Sequence, residues 1–131
     1  MLILDENFRL EQQAVLSAWR IRTRKIGREL AAFGTDDANL VPLLLRLPKP
    51  TFFTHDAHFW RQSLWHPGYC LAWLDMDDVH GARYVRRFLR HVDFDTTAKR
   101  LGKVVRVHPD GLTYYDSRHG KAWQVNWMRT V

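Results

Sequence analysis

Leu2-Ile3-Leu4-Asp5-Glu6-Asn7 and Thr51-Phe52-Phe53-Thr54-His55-Asp56 are the two stretches that decide the fold of this 131-residue chain. The first begins as an apolar run, the second as a β-prone run, and each ends in acidic or polar residues. Short apolar runs of this kind are typical of strands buried in a parallel sheet. Because the carboxyl ends of parallel strands meet at one edge, we expect Asp5 and Asp56 to lie along the same edge.

Outward from these stretches, helical and strand-like segments alternate along the first half of the chain. The pattern predicts a helix from about Leu10 to Trp19, a second strand within residues 21–26, and a helix that begins near Asp37 to Asn39 and contains Pro42. A further apolar strand is predicted from Tyr69 to Leu74, followed by Asp75. This alternation predicts an α/β domain with a parallel sheet.

The second half begins with an amphipathic helix over Gly81 to Val92 and then becomes β-like. One side of this helix is apolar, and the other carries four arginines: Arg83, Arg86, Arg87 and Arg90. Strands are predicted at Lys103 to His108, Leu112 to Tyr115 and Ala122 to Trp127. We predict one domain over residues 1–131, with a core in 1–76 and a basic helix and β-hairpin extension in 77–131.

Composition restricts the class of protein and suggests a partner. Hydrophobic residues make up 46% of the chain and the formal net charge is +6, which favours a globular protein that attracts polyanions such as RNA. A basic protein with no such partner remains the alternative. The single cysteine, Cys70, is predicted to be a buried hydrophobe, as expected in the reducing cytoplasm. No apolar run approaches the roughly 20 residues of a membrane helix.

Three aspartates, Asp5, Asp37 and Asp56, each stand where a predicted element ends or begins. Singly, each could cap a helix or close a turn. Together they predict a site for Mg²⁺ or Mn²⁺, because these ions prefer oxygen ligands and clustered carboxylates repel one another without a cation. Such an ion can polarise a phosphate and activate a water molecule for in-line attack. A zinc site at His55 and His58 would need further His or Cys ligands.

These motifs resemble the PIN-like superfamily over roughly residues 2 to 75. The resemblance lies in Leu4-Asp5-Glu6-Asn7, in Gly34 to Leu40 with Asp37, and in Thr54-His55-Asp56-Ala57-His58-Phe59, which matches a Thr-x-Asp-x-x-Phe signature. The pattern looks closest to the short bacterial DUF5615, or Mut7-C-like, branch, which is related to the VapC-type toxin ribonucleases.

The resemblance implies a three-layer α/β/α fold with a short central parallel sheet, to which a C-terminal helix and a small β extension are added. It implies a Mg²⁺- or Mn²⁺-dependent endoribonuclease that is the toxin of a toxin–antitoxin system, with RNA and an antitoxin protein as partners. Carried onto this chain, the catalytic metal ligands are Asp5, Asp37 and Asp56. The supporting residues are Glu6, Asn7, Thr54 and His55, with Asn7 assisting Asp5 and Thr54 orienting Asp56. Whether the protein forms a homodimer stays open.

The chain also departs from the family pattern. PIN nucleases add a helix-borne acid between the first two aspartates; here Glu11 and Glu29 lie in that interval without a recognisable motif, and Glu6 could substitute by position. A module that binds nucleic acid or a protein without cleavage is therefore the alternative, and a regulatory or assembly subunit with an aromatic interface is a third. The residues expected to contact nucleic acid are Arg22, Arg24, Lys25, Arg83, Arg86, Arg87 and Arg90. Solvated charged faces, or an acidic protein partner, would explain them equally.

Overall fold

The computed structural model describes residues 1–30, 37–116 and 122–127, without the side chains at positions 37, 38 and 62. The described residues form a mixed α/β structure. Its strands are β1 (Leu2–Leu4), β2 (Arg24–Lys25), β3 (Thr51–Thr54), β4 (Cys70–Leu74), β5 (Lys103–His108), β6 (Gly111–Asp116) and β7 (Ala122–Val125). Its α-helices are α1 (Leu10–Ala18), α2 (Asp37–Leu45), α3 (Gly81–Arg90) and α4 (Thr97–Arg100).

The strands form one seven-stranded sheet in the order β2-β1-β3-β4-β5-β6-β7. Neighbours from β2 to β5 pair in parallel, whereas β6 and β7 add antiparallel strands. The parallel sheet predicted from the alternating pattern is thus present. Strands β5, β6 and β7, expected as part of an extension, continue the sheet directly because β5 pairs with β4.

Hydrophobic clusters cover both faces of this sheet. On one face, Leu4 and Phe53 pack with Leu16 of α1 and with Phe88 of α3. On the other face, Ile3 and Phe52 pack with Leu40 and Leu44 of α2. Adjacent strand residues point to opposite faces, so the apolar runs in β1 and β3 supply both clusters. Burying each of these side chains stabilises the fold by about 1.5–3 kcal/mol. Cys70 is fully buried in the first cluster, as predicted.

The helix boundaries have local causes. Helix α1 is followed by Arg20, whose left-handed backbone (φ 62°) ends the helix, while the Ile21 N–H donates to Leu16 O. Helix α2 begins at Asp37, within the predicted start, although Pro42 lies beyond its first turn and leaves one helical carbonyl without its usual donor. In α3, Arg87 and Arg90 lie in the last turn, where positive charges interact favourably with the negative end of the helix dipole.

The chain changes direction across the sheet at β1. Strands β2 and β3 flank β1 on opposite sides. The connection from β1 to β2 contains α1 and that from β2 to β3 contains α2, and these helices pack on opposite faces. The loops that follow β1 and β3 therefore lead in opposite directions, away from each other. In doubly wound sheets this switch point is where ligands bind. Within the described ranges, no helix has the length and apolar character needed to cross a membrane.

Candidate active site

The switch point brings Asp5 and Thr54 together at the ends of β1 and β3. The Asp5 N–H donates to Phe53 O at 2.9 Å, which places the Asp5 side chain beside Thr54. The Thr54 hydroxyl donates to Asp5 Oδ2 at 2.7 Å, and the Thr54 Oγ1 in turn accepts a hydrogen bond from the Asp56 N–H at 3.0 Å. Thr54 was expected to orient the Asp56 side chain. Its hydroxyl instead orients the Asp5 carboxylate and fixes only the backbone of Asp56.

Asp56 is exposed and lies just after the end of β3, beside Thr54. Its Oδ1 accepts the His58 N–H at 2.9 Å and so caps a short 3₁₀ turn, Ala57–Phe59. The turn-closing role considered from the sequence is therefore present. A cap of this kind uses one carboxylate oxygen, and it leaves Oδ2 available to a ligand.

The Asp5 carboxylate is buried and lies close enough to other negative charges to be affected by them. Burial raises the pKa of Asp5, whose residue is only 9% exposed. Hydrogen bonds from Thr54 and from the Glu6 backbone lower this pKa, while the negative charges of Glu6 and Asp56 raise it. A buried carboxylate near other negative charges favours either a proton or a cation. This environment is therefore suited to a bound metal ion.

His55 ties the ends of two strands together. Its Nδ1 lies 3.0 Å from Leu74 O, and since a carbonyl can only accept, Nδ1 carries the proton. Its Nε2 is buried without a hydrogen-bond partner among the described residues. The ring stacks on Phe8 at 5.8 Å. Burial lowers the pKa of His55, so the ring is neutral at pH 7. Both nitrogens are thus buried, and His55 supports the site by holding the end of β3 against the end of β4.

The start of α3 closes over this histidine. A Cβ built on Gly81 would lie 2.9 Å from Phe8 Cε2 and 3.0 Å from His55 Nε2. Glycine is required here because of the close approach. The Ala82 N–H donates to Gln12 Oε1 of α1 at 2.9 Å, which fixes the helix end at this position. The amino end of α3 therefore lies beside the candidate site.

Asn7, Lys25 and Glu6 are three further residues to which the sequence assigns a role. Asn7 is exposed in the turn after β1, and the described contact that holds Asp5 is that of Thr54. Lys25 was predicted to contact nucleic acid, but it is only 4% exposed and its Nζ donates to Glu6 O at 2.5 Å. Lys25 therefore belongs to the support of the turn after β1 and not to a nucleic-acid surface. Glu6 is half-buried in that turn.

The third predicted aspartate, Asp37, is the first residue of α2, but its side chain lies outside the described part of the structure. The convergence of three aspartates therefore stays a prediction. Among the side chains that are described, no group of three or more His, Cys, Asp or Glu residues is arranged to hold a metal ion. The described acidic pair is Asp5 and Asp56.

The predicted basic residues divide into exposed and packed ones. The exposed ones are Arg22, Arg24, Arg83 and Arg90. Arg86 stacks on Trp19, with its guanidinium carbon 3.6 Å from the ring centre, and Arg87 lies 4.3 Å from the ring centre of Trp127. Such stacking uses the guanidinium plane and still leaves its N–H groups available.

Asp78 is a neighbour of the site that sequence reasoning missed. Its Oδ1 accepts a 2.7 Å hydrogen bond from Arg9, and its negative charge acts on His55. The signal in the sequence was the Asp77-Asp78 pair, which follows the apolar strand β4 within four residues of its end. Arg9 links the turn after β1 to the segment before α3, and so joins two sides of the crevice rim.

These features define a mixed α/β protein with a mostly parallel sheet and with Asp5 and Asp56 at its switch point. No protein-family model, curated protein or solved structure matches the chain.

Proposed function

We propose that this protein is a metal-dependent endoribonuclease of the PIN-like type that acts in the cytoplasm as the toxin of a toxin–antitoxin pair. The observation that carries the proposal is the hydrogen-bonded unit of Asp5, Thr54 and Asp56 at the switch point. It joins the Asp5 carboxylate, whose pKa is raised, to the backbone of Asp56 at the end of a strand remote in sequence.

The donor set fits Mg²⁺ or Mn²⁺. Both carboxylates offer hard oxygen ligands, and Mg²⁺ commonly binds through one or two carboxylates while it keeps several waters. The burial of Asp5 and its repulsion by Glu6 and Asp56 favour a cation over an empty site. Asp37, at the start of α2, is the proposed third ligand.

Each residue of the site would have a separate role in cleavage. Asp5 and Asp56 hold the ion, and the Thr54 hydroxyl keeps the Asp5 carboxylate in one orientation. The bound ion would supply Lewis-acid polarisation of the phosphate and a water of lowered pKa. The exposed arginines Arg22, Arg24 and Arg83 would neutralise the RNA backbone. His55 keeps the ends of β3 and β4 in register.

Cleavage of a labelled single-stranded RNA in Mn²⁺ tests this function. We expect cleavage that EDTA abolishes and that Asp5→Asn and Asp56→Asn each remove. The matched control is Asp95→Asn, because Asp95 is an exposed carboxylate paired with Lys99, outside the site. Retained cleavage in an Asp5→Asn/Asp56→Asn double variant, purified in the same way, would overturn the proposal. Asp37→Asn tests the third ligand in the same assay.

A second candidate is a PIN-like module that binds nucleic acid or a protein without cutting. It is favoured by the contacts of Glu11 and Glu29, the two residues considered above as the helix-borne acid of the family pattern. Glu11 accepts a hydrogen bond from Arg9, and Glu29 accepts from Gln13 and from the Lys25 backbone, so both are engaged away from Asp5. RNA binding that persists without any Mn²⁺-dependent cleavage would support this candidate.

The toxin role has its own test. Induced expression in a bacterial host should arrest growth, and the Asp5→Asn variant, expressed to the same level, should not. Growth arrest by both the wild type and Asp5→Asn would show that toxicity does not depend on the acidic site. Absence of growth arrest by the wild type would contradict the toxin role.

A further inference from the structure

A row of side chains runs across one face of the sheet, from the candidate site to the last strand. Register pairs Thr54 with Trp73, Trp73 with Arg106, Arg106 with Thr113, and Thr113 with Gln124. Paired residues of neighbouring strands point to the same face of a sheet. We call Thr54, Trp73, Arg106, Thr113 and Gln124 the cross-sheet row. It begins at the hydroxyl that holds Asp5.

Aromatic rings gather over the middle of this row. Trp60 and Trp65, from the connection between β3 and β4, lie beside Trp73 and Tyr115 with ring centres 4.5–6.5 Å apart. All four residues are half-buried, so part of each remains accessible. The Trp65 Nε1–H is buried without an acceptor among the described residues. We call these four residues the aromatic group.

Arg106 extends the aromatic group as a flat, fixed surface. Its Nε and one terminal nitrogen both contact Asp75 Oδ2, at 2.8 and 2.7 Å. Its guanidinium carbon lies 5.5 Å from the ring centre of Trp73. The ion pair therefore fixes the guanidinium plane, and such planes stack on nucleobases as aromatic rings do.

The far end of the row opens into a hollow of about 430 Å³ with both polar and apolar lining residues. Its polar lining includes Arg106, His108, Asp110, Thr113 and Gln124. Gly111 forms part of it in a backbone conformation (φ 153°) that other residues rarely adopt, and a Cβ there would lie 2.6 Å from Val125 O. These donors and acceptors suit the edges of unpaired bases.

We propose that this face binds single-stranded RNA, with bases stacked on the aromatic group and on Arg106, and with the strand leading along the cross-sheet row to Asp5 and Asp56. This substrate class rests on the proposed ribonuclease function. Stacking needs unpaired bases, because a duplex buries its base faces and presents mainly phosphates. The net charge of +6 favours a polyanion over other ligands with flat rings.

The test measures binding without cleavage. The probe is a fluorescein-labelled oligouridylate, and the protein is the full chain carrying Asp5→Asn, in EDTA. Fluorescence anisotropy should show that Tyr115→Leu weakens binding at least about fivefold, the lower range for loss of one stacked base. Trp123→Leu is the matched control, because Trp123 pairs with Tyr114 on the opposite face of the same hairpin.

A charge-matched pair tests the guanidinium. Arg106→Gln should weaken binding, whereas Arg46→Gln should not, since Arg46 is exposed just after α2, donates to Pro42 O and is not a member of the row. Equal affinity for a duplex of the same length, or no loss in Tyr115→Leu and Arg106→Gln, would overturn the proposal.

Cross-linking gives a readout that does not depend on how the variants fold. Ultraviolet irradiation of bound oligouridylate should link it to peptides that contain Trp73 or Tyr115, and links found only elsewhere would overturn the proposal. The two proposals fail separately: cleavage with no stacking on this face refutes the binding face alone. Stacking without Mn²⁺-dependent cleavage refutes the nuclease alone.

Discussion

Thr54 donates a buried hydrogen bond of 2.7 Å to Asp5, a residue 49 positions earlier in the chain. Replacement of Thr54 with valine keeps the shape of the side chain but removes the donor. We expect the pKa of Asp5 to rise further, because the hydroxyl favours the ionised form. The acid limb of the cleavage profile should move to higher pH. The loss of one buried hydrogen bond should cost about 1–3 kcal/mol of stability. Thr54→Ser should restore both properties, and an unchanged pH profile in Thr54→Val would contradict this role.

Asp5→Asn should stabilise the metal-free protein at neutral pH. Burial raises the folded-state pKa of Asp5 above its ordinary value of 3.8, so the ionised carboxylate is penalised in the folded state. The penalty is fully present above the folded-state pKa and disappears below pH 3.8. Urea denaturation in EDTA should therefore show a stability gain at pH 7 that vanishes in strong acid. A variant less stable than the wild type at pH 7 would oppose this account.

Mn²⁺ should raise the melting temperature of the wild-type protein, because a ligand that binds only the folded state stabilises it. At 100 times its dissociation constant the ion would add about 2.7 kcal/mol. Asp56→Asn should remove most of this shift but leave the metal-free melting temperature nearly unchanged, since Asp56 is exposed. In Asp95→Asn, Mn²⁺ should raise the melting temperature as much as it does in the wild type. If Mn²⁺ raised the melting temperature of Asp56→Asn by the same amount as well, the ion would bind elsewhere.

Protonation of His55 should destabilise the fold. Burial lowers the pKa of His55 below its ordinary value of 6.5, so the unfolded chain takes up the proton first as the pH falls. Stability should thus be lost as the pH decreases below 6.5. His55→Asn can still donate to Leu74 O and should reduce this loss. His108, whose pKa burial also lowers, contributes in the same direction, so His108→Asn is measured in parallel. If both variants show the wild-type pH dependence, these histidines are not its source.

Gly81→Ala should destabilise the protein and reduce activity together. The added methyl would press on Phe8 and His55 at 2.9–3.0 Å, and overpacking of this kind costs about 1–3 kcal/mol. Ala82→Gly, at the next position of α3, removes a methyl group and serves as the comparison for helix propensity. Full activity and stability in Gly81→Ala would show that α3 can move away from the site.

Much of the fold could be predicted from local pattern. The run Thr51–Thr54 is a strand with the predicted bounds, and α1 and α3 begin where periodicity places them. The extent of the sheet was harder to predict, because Lys103–His108 reads equally as a hairpin strand or as a partner of β4. Only the long-range pairing of Leu71 with Val104 decides between them.

The site was predicted in part. Asp5 and Asp56 do lie at the edge expected from strand polarity, since parallel strands place their carboxyl ends together. The roles of Thr54, His55 and Lys25 depended on side-chain direction and burial, which spacing does not encode. Lys25 alternates with Arg24 in a strand of only two residues, and its burial is set by packing against the turn after β1.

The distance in sequence between Asp5 and Thr54 has a kinetic consequence. The two residues meet only after β1 and β3 have paired. The chain segment between them is long and contains β2 and α2. Contacts of this kind form slowly, since closure of a long loop precedes them. Asp5 and Asp56 are therefore brought together by the pairing of β1 with β3, and they stay apart in any chain in which these two strands have not yet paired.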